Sequence, residues 1–258
     1  MVSKIHSWIP AAAVVAAMTV PAQAAEIPIV IYDAADGIAS DSSGMGNDGL
    51  ATGAGVSVVA AGPNAGDMSF SFVGGLSTDR ITTNATGLLN NPDVIAAGGF
   101  TMSAWINTTG TDVGDFGSVI DYAGTERIQF NAAGEIGFAI SGVEPQVYST
   151  VNVTDGQWHF VLAQFVVTDG SDPTAVVGDM YITVDGVTNS INGQTLDTFG
   201  DSLVRPIGIG GHPVGFAGDV YAGLINDPTV ALGTSVPEPG PLALLGLAGL
   251  GLMRRRRR

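Results

Sequence analysis

The fold class of this chain follows from residues 100–106, Phe-Thr-Met-Ser-Ala-Trp-Ile, in which every second residue is apolar. A β-strand points successive side chains to opposite faces, so this pattern predicts a strand with one buried face. Residues 180–184, Met-Tyr-Ile-Thr-Val, repeat the pattern and end at Asp185-Gly186, a dipeptide typical of tight β-hairpins. We expect six side chains to be buried between two sheets: Phe100, Met102, Ile106, Leu162, Ile182 and Val184.

Similar short runs recur from residue 26 to residue 230, separated by Gly, Asp and Asn. The predicted strands are 27–32, 69–73, 100–106, 118–122, 127–131, 135–140, 158–168, 180–184, 205–210 and 216–222. No stretch in this region has apolar residues that recur every three to four positions, as in an amphipathic helix. Many short strands joined by tight turns are typical of an antiparallel β-sandwich, so we predict one all-β domain over residues 26–230.

Composition excludes several functions. The chain has no cysteine, which excludes disulfides, thiol catalysis and cysteine-ligated zinc. After Ala25 and before the C-terminal arginines there are 24 acidic residues and three basic ones, Arg80, Arg127 and Arg205, which leaves a formal charge of −21. Such a surface repels nucleic acid and anionic lipid, so no nucleic-acid partner is expected. It suits cations or solubility, and most of the acids lie in turns.

The first 24 residues predict a signal peptide. A weakly basic start with Lys4 precedes an apolar run, residues 9–20, which is short for a membrane span. The run ends at Ala22-Gln23-Ala24, a small-x-small cleavage pattern. We therefore expect the mature chain to start at Ala25 or Glu26; a buried helix or a membrane anchor is the alternative.

The last 23 residues, 236–258, form a tail of three parts. Prolines dominate the first part, an apolar run of Leu, Ala and Gly at 242–253 predicts a short helix, and arginines end the chain. Arginines after an apolar helix favour the cytoplasmic side, so they act as a membrane stop for a temporary, weak anchor. The first part is Val236, Pro237, Glu238 and Pro239, and the last is Arg254, Arg255, Arg256, Arg257 and Arg258.

These three parts in this order resemble the PEP-CTERM sorting signal. The resemblance implies processing by an exosortase near residues 237–239, after export by the secretion machinery. It also implies a Gram-negative host that makes exopolysaccharide, and a location in the cell envelope or extracellular matrix with transient inner-membrane anchoring. A plain tail-anchored helix is the alternative.

The middle of the chain resembles LamG-like, concanavalin A-like domains. The residues that carry the resemblance are 41–49, 72–75, 80–81, 100–106, 155–161, 181–186, 209–211 and 216–220, in the family's order. The strongest part is Asp-Gly-Gln-Trp-His-Phe-Val at 155–161 followed by 181–186. The resemblance implies an antiparallel jelly-roll sandwich. It breaks after Asp219, so the pairing of the last strand stays open.

Some members of this fold hydrolyse glycans, and retaining glycosidases do so with a pair of carboxyl groups about 5–5.5 Å apart. No predicted strand carries two acids on one face; the glutamates are Glu26, Glu126, Glu135, Glu144 and Glu238. His159 is predicted to be a packing or rim residue, and His212 lies in a Gly-Gly-His-Pro turn. Neither a Gly-x-Ser-x-Gly nor a phosphate-binding loop is present.

Two further features are open to a binding role. Relatives of the LamG type frequently hold a rim calcium, and Asp79 and Asp121, each at a predicted strand edge, are our candidates for a Ca²⁺ site. The alternative is that they are ordinary turn acids. Four strand aromatics are predicted to pack in the core, with sugar stacking as the alternative: Trp105, Trp158, Tyr181 and Phe216.

The sequence therefore predicts an exported, non-catalytic binding or structural protein of the envelope or exopolysaccharide matrix. Its expected partner is an extracellular polysaccharide or a matrix protein. A divergent glycoside hydrolase of the same fold is the alternative.

Overall fold

The computed structural model describes residues 26–74, 78–84, 86–109, 117–122, 125–140, 146–197, 206–214 and 220–234. The predicted signal peptide and the C-terminal tail, residues 235–258, lie outside the described residues. In order, the strands are β1 (Ile27–Ile31), β2 (Gly49–Thr52), β3 (Val56–Val59), β4 (Ser69–Phe72), β5 (Arg80–Thr83), β6 (Gly99–Asn107), β7 (Ser118–Tyr122), β8 (Glu126–Phe130), β9 (Ile136–Ala139), β10 (Val147–Tyr148), β11 (His159–Asp169), β12 (Ala175–Val184), β13 (Val187–Asp197), β14 (Ile207–Ile209) and β15 (Gly223–Leu232).

The strands form two antiparallel sheets stacked as a sandwich, which confirms the predicted fold class. The first sheet has the order β13-β12-β11-β6-β15-β4-β3, with β1 also pairing to β15. The second has the order β10-β9-β8-β7-β14-β5-β2. The predicted hairpin at Asp185-Gly186 joins β12 to β13, and both residues have the positive φ that this tight turn requires.

The core lies between the sheets and is built from alternate residues of each strand. Phe100 of the first sheet stacks on Phe165 at 5.8 Å between ring centroids and meets Phe138 of the second sheet edge-on at 6.0 Å. Five of the six predicted core residues are fully buried, which confirms them. They are Phe100, Met102, Ile106, Ile182 and Val184.

The prediction for Leu162 was wrong. Its neighbours Val161 and Ala163 are fully buried in the core, so Leu162 points away from the core and is half-buried. There it pairs with Ser103 of β6 and Thr183 of β12. The run Val-Leu-Ala at 161–163 is apolar throughout, so its polarity does not identify the buried face.

The last strand lies inside the first sheet. β15 pairs with β6 from Leu224↔Asn107 to Leu232↔Phe100. Its other side is shared by β4, near Gly223, and by β1. The pairing that the sequence left open is therefore a central one.

Among the described residues, two short helices interrupt the strands, the 3₁₀ turn Ala34–Asp36 and α1, Asn91–Ala97. The sequence pattern did not predict α1, although its end signals are present. Asn90 accepts a hydrogen bond from the Asp93 N–H at 3.0 Å, and Gly98 ends the helix with φ 76°. Seven residues that bury only Val94 are too few for a periodic pattern. Within the described ranges, no helix is long and apolar enough to cross a membrane.

Candidate functional site

A group of polar side chains lies on the outer face of the second sheet; we call Ser118, Asp121, Arg127 and Gln129 the polar patch. On β8, Ile128 belongs to the core, so Arg127 and Gln129 on either side of it point away from the core. A bulge in β7 after Ser118 turns this serine to the same face as Asp121. The Ser118 hydroxyl donates to the Asp121 Oδ2 at 3.3 Å.

The polar patch is buried although it faces away from the core, since all four side chains are at most 3% exposed. Small residues flank it in register: Gly208 pairs with Asp121, and Ala139 pairs with Arg127. A side chain on Gly208 would collide with the Gly211 carbonyl oxygen, so the turn after β14 lies directly over this part of the sheet. The patch is thus an internal polar network covered by the chain itself.

Beside the polar patch lies a buried acid that the sequence search did not select, Glu126. Burial raises the pKa of Glu126 to about 7, and the nearby charge of Asp121 adds to the effect. An acid of this pKa next to a second carboxylate is the arrangement from which a glycosidase pair could be built. Glu126, however, shares the core-facing side of β8 with Ile128 and pairs with Tyr122, whereas Asp121 faces outward. The two carboxyl groups therefore cannot flank one glycosidic bond.

The outer face of the first sheet carries half-buried aromatic side chains. Trp105 of β6 lies directly opposite Phe160 of β11, with ring centroids 5.3 Å apart. Tyr181 of β12 points to the same side and is also half-buried. Core packing was thus the wrong prediction for Trp105 and Tyr181, and Trp158 is likewise half-buried. The alternation of the strand explains why Trp105 points outward, because its neighbours Ala104 and Ile106 face the core. Phe216 lies outside the described residues.

Comparison with protein families agrees with this architecture. Residues 76–231 match the model of the concanavalin A-like lectin/glucanases superfamily, which is more than half of the chain. The chain belongs to this superfamily. Residues 235–258 match the PEP-CTERM protein-sorting motif, which marks an exported protein that is targeted to the cell envelope and implies processing by the exosortase system.

Solved structures resemble this concanavalin A-like chain in fold alone. Domains LG4–5 of the mouse laminin α1 chain are 17% identical over 52% of this chain, with a TM-score of 0.35, and the match spans 36% of that fragment. A carbohydrate esterase of a Shiga toxin-encoding bacteriophage, phi24B, is 12% identical over 81% of this chain and 100% of its own length, with a TM-score of 0.46. The alginate lyase vAL-1 from Chlorella virus is 11% identical over 72% of this chain and 92% of its own, with a TM-score of 0.39. No curated protein matches the chain in sequence.

The structure does not bring the two proposed calcium ligands of this concanavalin A-like domain together. β14 lies between β5 and β7, so two strand spacings put about 10 Å between Thr82 and Asp121. Asp79 lies three residues before Thr82, which adds to its distance from Asp121. A Ca²⁺ ion lies about 2.3–2.6 Å from each of its ligands, so one ion cannot bind both aspartates. In the described part of the chain, no three acidic or histidine side chains converge as a metal site.

Each aspartate has a different environment, and of the two only Asp79 has a carboxylate oxygen without a hydrogen-bond partner among the described residues. Asp121 belongs to the polar patch and pairs in register with Arg127, whose positive charge disfavours a cation there. Asp79 is 2% exposed, and its Oδ1 accepts the Gly55 N–H at 3.2 Å. Its Oδ2 has no hydrogen-bond partner among the described residues. Calcium binding therefore stays a prediction, and Asp79 is the better candidate.

For calcium, we expect millimolar Ca²⁺ to raise the melting temperature more than Mg²⁺ does at matched ionic strength, because Mg²⁺ demands a tighter octahedral geometry. The selective rise should disappear in Asp79→Asn and persist in Asp121→Asn, as measured by thermal unfolding followed by circular dichroism. Equal shifts from both ions would leave only charge screening of the acidic surface and would contradict a calcium site.

His159 and His212 both have positions fixed by hydrogen bonds. His159 Nδ1 lies 2.6 Å from Asp185 Oδ2, and its Nε2 lies 3.0 Å from Asp155 Oδ1. Burial by itself lowers the pKa of His159, but the hydrogen bonds and charges of both aspartates outweigh it, so the pKa is raised. His212 is 4% exposed, and its Nδ1 accepts the Val214 N–H at 3.2 Å. His159 thus joins the turn before β11 to the β12–β13 hairpin, a structural position.

Proposed function

We propose that the chain is an exported, non-catalytic binding protein of the cell envelope or exopolysaccharide matrix of a Gram-negative bacterium, and that it contacts carbohydrate. In this proposal residues 1–24 direct export, and an exosortase processes the tail near residues 237–239. The PEP-CTERM motif supports the delivery, and the superfamily supports a carbohydrate ligand. The acidic charge of the domain supports an extracellular site without nucleic-acid partners.

The observation that carries the non-catalytic part is the placement of the carboxyl groups. Asp121 and Glu126 are neighbours across the β7–β8 hairpin, yet alternation assigns them to opposite faces of the sheet. Hydrolysis of a glycosidic bond needs two carboxyl groups that flank the same bond in one cleft, which the two opposite faces of a sheet cannot provide. A domain with this arrangement can bind a glycan without cleaving it.

One feature favours the alternative function, a divergent glycoside hydrolase. Glu126 is buried, and burial raises its pKa to about 7, which suits a general acid. If a glycan reached Glu126 from the end of the β7–β8 hairpin, this residue would be the proton donor.

The test measures binding and cleavage in the same samples. The purified full chain is incubated with a panel of neutral and acidic polysaccharides, and retention by affinity electrophoresis is compared with the release of reducing ends. We expect retention by at least one polysaccharide and no new reducing ends. Glu126→Gln should behave as the wild type does, and so should the control Glu135→Gln, which changes an exposed turn acid.

Two outcomes contradict the proposal. Reducing ends that appear with the wild type and vanish in Glu126→Gln, but not in Glu135→Gln, would establish the hydrolase. A lack of retention by every polysaccharide would leave the chain without a carbohydrate ligand.

A further inference from the structure

The outer face of the first sheet presents a regular array of side chains across four strands. Three rows follow from the strand register, and we call them together the outward face. The first row is Trp105 and Phe160. The second is Ser103, Leu162, Thr183 and Thr188. The third is Thr101, Gln164, Tyr181 and Ser190. Thr101, Gln164 and Thr183 are buried, so the accessible part of the outward face consists of the other side chains.

No side chain of the outward face is charged, although the residues between Ala25 and the C-terminal arginines carry a formal charge of −21. Two aspartates border it. Asp185 lies beside Phe160, where its carboxylate accepts the Phe160 N–H at 2.9 Å and contacts His159 Nδ1 at 2.6 Å, and Asp179 pairs with Val166. Charged polymers are bound mainly through charged side chains, so this face offers little to an anionic polysaccharide or a basic peptide. A neutral partner buries no charged group of its own when it covers this face.

The chemistry of the outward face combines rings with hydroxyl and amide groups. The rings of Trp105, Phe160 and Tyr181 offer apolar surface that is partly open to solvent, and Leu162 lies between them. Hydroxyl groups border these rings, and Thr183 and Thr188 bond each other across the hairpin at 2.8 Å. A pyranose ring has the matching surface, with apolar C–H faces and hydroxyl groups at its edge.

A small cavity continues the outward face beyond Trp105. Its volume is about 210 Å³, and its lining includes Asn107, Thr109 and Leu224. Asn107 is two residues after Trp105 on β6 and so shares its face, and Leu224 pairs with Asn107 in register. The exposed side chain of Val73 lies at its mouth. The cavity therefore adds a partly enclosed pocket at one end of the row of rings.

We propose that the outward face binds a neutral polysaccharide chain, which runs diagonally from Tyr181 to Trp105 and places one sugar in the cavity at Asn107. This rests on the proposed function, because it assigns a site and a ligand class to the carbohydrate contact. Trp105 and Tyr181 are two strands and four residues apart, about 16 Å in the geometry of a sheet. One sugar ring cannot reach both, so an oligosaccharide binds more tightly than a disaccharide.

The test uses the full chain with cellohexaose, cellobiose and soluble neutral galactomannan, and alginate as the acidic polysaccharide, measured by calorimetry and affinity electrophoresis. We expect a neutral polysaccharide to bind, and the longer glucan to bind better than cellobiose. Trp105→Ala and Tyr181→Ser should each weaken binding about ten-fold, the loss of one buried aromatic contact. Leu50→Ala is the control, because Leu50 is 60% exposed on β2 of the other sheet.

Melting temperatures establish that the variants fold, and Tyr181→Ser keeps the test usable if Trp105→Ala unfolds. Neutral polysaccharide binding that both variants retain would overturn the outward face as the site and leave the proposed function standing. Alginate bound in preference to neutral chains would overturn the ligand class. A protein retained through Trp105 in place of any glycan would overturn the polysaccharide as occupant, and the absence of all glycan binding would remove the proposed function as well.

Discussion

Replacing Phe100 by alanine is expected to lower the free energy of unfolding by about 3–5 kcal/mol. Phe100 is fully buried and joins the two sheets, because it stacks on Phe165 in its own sheet and meets Phe138 of the other edge-on. Its truncation removes the contact with both rings and leaves a cavity that a close-packed sandwich fills poorly. Chemical denaturation, with the slope checked for two-state behaviour, measures the change.

Leu162→Ala is the matched control for this prediction. Leu162 was also predicted to be a core residue, but it lies on the outward face between Ser103 and Thr183. We expect its truncation to cost about 1 kcal/mol, the ordinary effect of a point mutation outside the core. A cost equal to that of Phe100→Ala would show that Leu162, rather than Val161 and Ala163, faces the other sheet.

His159→Gln is expected to remove a pH-dependent part of the stability. The pKa of His159 is raised in the folded protein above its ordinary value of 6.5 by Asp155 and Asp185. The protonated ring donates to both carboxylates, whereas the neutral ring has one N–H and turns a lone pair towards the other carboxylate. The stabilisation is therefore fully present below pH 6.5 and is lost as the pH rises through the raised pKa.

The measurement is the unfolding free energy of wild type and His159→Gln across this pH range. The difference between them should be largest at the acidic end and shrink towards alkaline pH. Asp155→Asn keeps the shape of one partner but removes its charge, so it should show a smaller pH dependence than the wild type. A difference that stays constant with pH, or grows as the pH rises, would contradict a histidine held in its charged form.

Much of the architecture could be predicted because the alternation of a β-strand and the dipeptide of a tight turn are visible in contiguous residues. The alternation at 100–106 and 180–184 identified both the strands and their buried faces, and Asp185-Gly186 identified the hairpin between β12 and β13. The helix at Asn91–Ala97 was missed because its evidence is confined to its ends, at Asn90 and Gly98.

The grouping of residues at the candidate sites could be predicted from the sequence less well than the strands. A search along single strands could not find Asp121 beside Glu126, because they are neighbours across a hairpin. Nor could it show that β14 separates Asp79 from Asp121, or that the turn before β11 and the β12–β13 hairpin both reach His159. The aromatic residues of the outward face cannot be told from core residues by their polarity, since a large ring is equally apolar on the core-facing and the outward-facing side of a strand.

The sequence by itself determined the all-β class, the superfamily and the sorting motif, because alternation, turn dipeptides and the tripartite tail are properties of contiguous residues. Only the tertiary structure decided which strands that are distant in the chain are neighbours. β15 became central because β6 pairs along one side of it while β1 and β4 share the other, contacts that join residues far apart in the chain. The faces of apolar runs such as 161–163 were decided in the same way, since a strand that is apolar on both sides takes its buried face from the sheet packed against it.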